Sequence, residues 1–188
     1  MAYRNGTYVA FDGQGTTNPT QSDLRYYGLL KSWNNSNTHD LRFSNSHEKT
    51  YQVRDSSQLA TLKSRLLERM KESKNMLLIL SDDTSWDRGL LNFEIEKAVD
   101  YYKIPLIIAY TGFDYIYNNV DTLKDKWPKA LSERIESGTA NCIHIAFKEK
   151  AIMDAISRFS VHSTGDDKLT SSKIYYTKEA YVNWGYIN

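Results

Sequence analysis

Three short, unbroken apolar runs constrain this chain more than anything else in it: "MLLILS" (76–81), "PLIIAY" (105–110) and "CIHIAF" (142–147). Continuous runs of this kind suit strands covered on both faces, the situation inside a parallel sheet. "TYVAF" (7–11) reads as a further strand, and the weaker, alternating "DLRFS" (40–44) suits a sheet edge. Helical patterns fall between them. "SDLRYYGLLKSW" (22–33) opens with a Ser cap and an early Asp, both favourable at a helix N-terminus. In 57–73, Leu59, Leu62, Leu66 and Met70 recur at three and four residues as one stripe. In 88–103, Leu91, Ile95, Ala98, Val99 and Tyr102 share a face, and segments around 121–137 and 148–159 complete the alternation.

Strand then helix, five times over, predicts an α/β fold of the flavodoxin-like kind. It would be a three-layer sandwich, a five-stranded parallel sheet of order 2-1-3-4-5 with helices on both faces. The sandwich is expected over residues 1–159. Residues 160–188 read differently, polar through "HSTGDDKLTSSK" and aromatic through "IYYTKEAYVNWGYIN", and are expected to pack back on the domain or on a partner.

Composition narrows the function classes. Of the 188 residues 40% are hydrophobic and 25% charged, the balance of a globular domain. A net charge of +1 gives no field that would favour nucleic acid or an anionic membrane. No run approaches the ~18 apolar residues of a membrane span. "MAYRNGTYVAFDG" lacks a signal peptide's apolar core, so a cytoplasmic location is expected. The one cysteine, Cys142, lies in an apolar run and reads as a buried thiol. His39, His47, His144 and His162 lie in separate segments without metal-ligand spacing, so no metal site is expected.

In an open parallel sheet, ligands bind beyond the carboxyl ends of the strands. Three loops should meet there: "FDGQGTTNPTQSD" (11–23), "SDDTSWDRG" (81–89) and "TGFDYIYNN" (111–119). Gly13 and Gly15 are followed by Asn18 where a dinucleotide fingerprint needs a third glycine, so a Rossmann phosphate grip is not expected. On the 88–103 helix, phase puts Glu94 at the rim of the apolar face, half-buried, and Glu96 and Asp100 on the solvent side. Phase alone leaves Glu94 open between a dipole-compatible surface acid and a catalytic one. A phospho-acceptor receiver would use Asp12, Asp82 or Asp83, Thr111 and Lys148, but there is no acidic pair after the first strand to hold Mg²⁺.

Four pieces in order, "YVAFDG", "DLRYYGLLKSW", "MLLILSDDTSW" and "LLNFEIEKAV", make the chain resemble TIR domains, most of all the TIR-like proteins of bacterial Thoeris antiphage defence. The resemblance spans about residues 7–159 and rests on the first strand ending at Phe11, Trp33 in the first helix, the Ser81–Thr84–Ser85–Trp86 turn and the Phe93–Glu94–Ile95 step. It implies cleavage of NAD⁺ at the nicotinamide–ribose bond, with NAD⁺ as substrate and no cofactor. It further implies a cyclic or conjugated ADP-ribose signal that reaches a separate effector protein, and a possible homo-oligomer. Glu94 takes the family's catalytic position; Phe11, Asp12, Gly13, Ser81, Asp83, Trp86 and Leu90 are the implied substrate-binding residues. Leu90 stands where many relatives carry a stacking Trp, which makes Trp86, one turn earlier, the candidate replacement. One carboxylate suffices for this chemistry, because nicotinamide leaves as a neutral molecule and needs no general acid. A non-enzymatic TIR-type interaction module is the main alternative, with the receiver reading behind it.

Overall fold

A computed structural model of the chain describes residues 4–13, 23–36, 42–45, 56–84, 86 and 89–188. The strands are β1 (Gly6–Ala10), β2 (Phe43–Asn45), β3 (Ser73–Leu80), β4 (Leu106–Tyr110), β5 (Cys142–Ala146) and β6 (Ile174–Tyr175). They form one sheet in the order β2-β1-β3-β4-β5-β6, with every neighbouring pair parallel. The α-helices are α1 (Leu24–Ser36), α2 (Ser56–Lys71), α3 (Gly89–Glu96), α4 (Lys129–Glu136), α5 (Glu149–Arg158) and α6 (Lys178–Asn183). The Ser22 cap and residues 40 and 41 of the expected second strand lie outside the described residues.

The continuous apolar runs are buried on both sides because each sheet face carries its own core. Side chains alternate along a strand. Tyr8, Met76, Leu78, Leu80, Leu106 and Ile108 therefore face a cluster with Leu66, Leu91 and Ile95. Val9, Leu77, Ile79, Ile107 and Ile143 face the opposite cluster with Leu30, Ile152 and Ile156. Asn75 ties the layers at the amino end of the sheet. Its amide donates to the carbonyls of Ile156 (3.1 Å) and Phe159 (2.6 Å), and its carbonyl oxygen accepts from the Thr7 hydroxyl at 2.8 Å.

Several local expectations change. Leu59 leaves the α2 stripe and is 43% exposed, while Leu62, Leu66 and Met70 are buried, so the burying face narrows toward the helix N-terminus. The helix expected over 88–103 is α3 followed by a π-turn at Lys97–Tyr101, where Tyr102 N–H reaches Lys97 and Ile104 N–H reaches Ala98. The 121–137 segment splits into a 3₁₀ stretch (Val120–Lys126) and α4, because Pro128 has no N–H to carry a helix through.

Residues 160–188 extend the sheet rather than only packing on it. β6 pairs with β5 through Ile143↔Ile174 and His144↔Tyr175, so among the described residues the sheet has six strands rather than the five expected. Two residues are too short a run to announce a strand, but they cover an edge that would otherwise present unpaired backbone groups. His144 sits under this junction, fully buried. Its Nε2 donates to the Ser172 carbonyl at 2.9 Å, its Nδ1 accepts from Tyr110 Oη at 2.7 Å, and Trp127 Nε1 donates to that same hydroxyl at 2.8 Å. Burial lowers the His144 pKa to about 4 and keeps the ring neutral, as this relay requires.

Candidate active site

The β1 and β3 ends bring together Asp12, Gly13, Ser81 and Asp83, and all but Asp83 are buried. The β3 end is a tight turn: Ser81 N–H donates to Thr84 Oγ1 at 2.9 Å, Thr84 N–H to the Ser81 carbonyl at 3.2 Å, and Asp83 N–H to Ser81 Oγ at 3.2 Å. Asp23, the residue before α1, joins them. Its backbone carbonyl accepts Tyr26 N–H at 3.0 Å, and its carboxylate is hydrogen-bonded to Ser81. Burial, with the nearby Asp12 and Asp83 charges, raises the Asp23 pKa to about 6 against the Ser81 bond that lowers it. Among the described residues its Oδ2 has no hydrogen-bond partner.

Trp86 and Leu90 stand at the entry to α3. The Trp86 ring is 53% exposed, yet its backbone is anchored, because its carbonyl accepts Lys129 N–H at 2.9 Å. Asn92 Oδ1 accepts the next N–H, of Ala130, at 2.9 Å. The entry to α3 thus satisfies two of the donors that the start of α4 leaves open. Leu90 is half-buried and packs against the α3-side core.

Glu94 is not at the rim. It is 1% exposed, and its Oε1 accepts a 2.5 Å hydrogen bond from the Tyr8 hydroxyl. Tyr8 lies two residues before the end of β1 and faces α3, so the Glu94 carboxylate is drawn down between helix and sheet, below the loops. Helical phase finds the side of α3 on which Glu94 lies; it does not register a buried hydroxyl that can hold a carboxylate there. Burial raises the Tyr8 pKa well above the ordinary phenol value, and the Glu94 charge adds to this, so Tyr8 remains the donor. Glu96, two residues on, is exposed as expected.

Phe11 belongs to the opposite face. It is buried and stacked on Tyr27, ring centroids 6.0 Å apart at 23°, within the α1–α5 cluster. Its ring and Glu94 are therefore on different sides of the sheet. The receiver constellation is not assembled either, since Asp82 pairs with Lys126 while Lys148 pairs with Asp114 at 2.8 Å. Tyr8 and Asp23 were not anticipated as site residues. Alternation in "TYVAF" places Tyr8 opposite Val9, and a buried Tyr needs a partner for its hydroxyl, which is the signal that points to it.

The all-parallel sheet with its helices is consistent with the α/β, flavodoxin-like fold of TIR domains. Residues 8–115 match the family described as Thoeris protein ThsB, TIR-like domain. The chain belongs to this family, and so to the TIR modules of antiphage defence. The match runs from β1 through β4; α4, β5, α5 and the last two elements lie beyond it. Among the described residues no helix is long and apolar enough to cross a membrane.

Proposed function

We propose that the protein cleaves NAD⁺ at the nicotinamide–ribose bond, with Glu94 as its catalytic carboxylate. The observation that carries this reading is the buried acid on α3, held by a phenol, in a chain of the ThsB TIR-like family. The C–N bond breaks with its electron pair passing to the pyridinium nitrogen, so nicotinamide departs neutral. A positive, oxocarbenium-like centre remains on the ribose. A carboxylate in a low-dielectric setting stabilises that charge more than it would in water. A hydroxyl, from water or from the nucleotide itself, then captures the centre and loses its proton. Capture by an internal or second nucleotide hydroxyl yields the cyclic or conjugated ADP-ribose signal that would act on a separate effector.

Burial adds a condition. At 1% exposure Glu94 meets substrate only when neighbouring groups move aside. Apparent affinity then scales with the fraction of molecules that are open. Trp86, exposed on an anchored backbone, is the candidate stacking surface for the nicotinamide or adenine ring.

The same burial favours a second reading, in which Glu94 is structural and the domain is a non-enzymatic interaction module. Chromatography of NAD⁺ incubated with pure protein, or with extract of phage-challenged cells expressing it, separates the two. Nicotinamide release by wild type and at least 100-fold less by Glu94→Gln is expected on the catalytic reading (about 2.7 kcal/mol or more of transition-state stabilisation). Equal release by the two proteins would remove Glu94 from the chemistry, and no release under any challenge favours the interaction module.

A further inference from the structure

On the α1–α5 side of the strand ends, away from Glu94, the described residues form an open cleft of 540 Å³, within the range of small-ligand sites. Its walls come from four places. α1 supplies Tyr26 and Trp33; Phe147 and Lys148 follow β5; Tyr186 arrives from the C-terminal segment. The loop after β4 closes the remaining side with Asp114. The family match ends at residue 115, so the α1 and β4-loop walls come from matched chain and Phe147, Lys148, Glu149 and Tyr186 from chain beyond it.

The rings touch one another at an angle rather than stacking face to face. Trp33 lies 5.4 Å from Phe147 at 38°, and Tyr26 lies 5.1 Å from Phe147 at 62°. Leu29, 44% exposed, is also on the wall. The Tyr186 wall is fixed in place: its hydroxyl accepts Lys150 N–H at 3.0 Å, and its own N–H donates to the Tyr181 carbonyl at 3.0 Å. Gly185, at φ +79°, makes the turn that presents it. Lys148 bonds Asp114 at 2.8 Å and lies 5.7 Å from the Tyr186 ring centroid, so charged donor and acceptor groups edge an otherwise aromatic space.

We infer that this cleft is a second ligand site, one that stacks a nucleobase. Aromatic walls offer a flat ring its faces, and the Lys148–Asp114 edge offers donors and acceptors to ring heteroatoms. An acyl chain would find those ions in its way. The Lys148–Asp114 pair is internally neutral and Glu149 adds one negative charge to the lining, so a neutral base suits the cleft better than an anion does. The site requires neither Glu94 nor turnover, so the inference stands apart from the NAD⁺ reading.

The test uses the full chain and adenosine as probe. Tryptophan fluorescence gives the isotherm, and saturation-transfer NMR shows which adenosine protons touch the protein. Saturable binding with a dissociation constant on the order of 0.1 mM is expected for a ligand of this size. Magnetisation should reach the base protons before the ribose. Trp33→Ala and Tyr186→Ala should each weaken binding by roughly tenfold or more while circular dichroism stays native. Glu94→Gln should leave it unchanged. Should either wall variant fail to fold, Lys148→Ala, at the open edge, must weaken binding instead. The inference is overturned by absence of saturable binding, by binding that folded wall variants leave untouched, or by binding lost with Glu94→Gln.

Discussion

The Tyr8 hydroxyl donates to Glu94 Oε1 at 2.5 Å, joining β1 to α3 inside the layer that separates them. Strand and helix are thereby tied at one point, and the carboxylate has a charge-assisted partner where water is excluded. Tyr8→Phe removes that donor and keeps the ring. It is expected to cost about 1.5–3 kcal/mol, read as a lower urea midpoint at unchanged slope. In a cycle with Glu94→Gln, the two effects should fall short of additivity by about 0.5–3 kcal/mol. A purely additive cycle would show that the contact carries no energy.

Trp86 separates function from stability. Its ring is 53% exposed while its carbonyl holds Lys129, so Trp86→Ala should leave the urea midpoint within about 0.5 kcal/mol of wild type. On the NAD⁺ reading, loss of stacking should raise KM roughly tenfold with little change in kcat. An unchanged KM would remove Trp86 from the site.

Two buried groups should oppose each other in acid. Asp23 has its pKa raised from 3.8 to about 6, so the folded state binds its proton first. The stability this provides is full below 3.8 and is lost as pH rises through 6. His144 has its pKa lowered from 6.5 to about 4, so its contribution is full above 6.5 and is lost as pH falls through 4. Each shift corresponds to at most about 3 kcal/mol. Between pH 4 and 6 the two slopes largely cancel. Asp23→Asn should therefore be more stable than wild type above pH 6, and should lose stability on acidification that wild type does not, as urea titrations across this range would show.

The Trp127–Tyr110–His144 relay makes the last prediction. Tyr110→Phe leaves the Trp127 N–H and His144 Nδ1 buried without that hydroxyl, at a cost of about 2–4 kcal/mol. Hydrogen exchange should rise along β5 and the 172–175 backbone that His144 and β5 hold. Exchange confined to β4 would argue that the relay does not bind the sheet to its last strand.

The layers of this fold were legible in the residues themselves. Runs such as "MLLILS" and "PLIIAY" are one-dimensional signals of strands covered twice, and Leu62–Leu66–Met70 announces the helix that covers one face. The acid on the helix after β3 was legible too, through its order among neighbouring motifs. Tertiary structure alone decided what surrounds that acid. Tyr8, which holds it, lies 86 residues away, and nothing local in "NFEIE" records that partner. The sixth strand, the pairing of Lys148 with Asp114 and the Phe11–Tyr27 stack on the far face were equally hidden. Periodicity reports which side of an element is apolar, because burial of apolar surface depends on area rather than partner. A hydrogen bond or an ion pair depends on one particular atom at one distance, and only the closed chain supplies it.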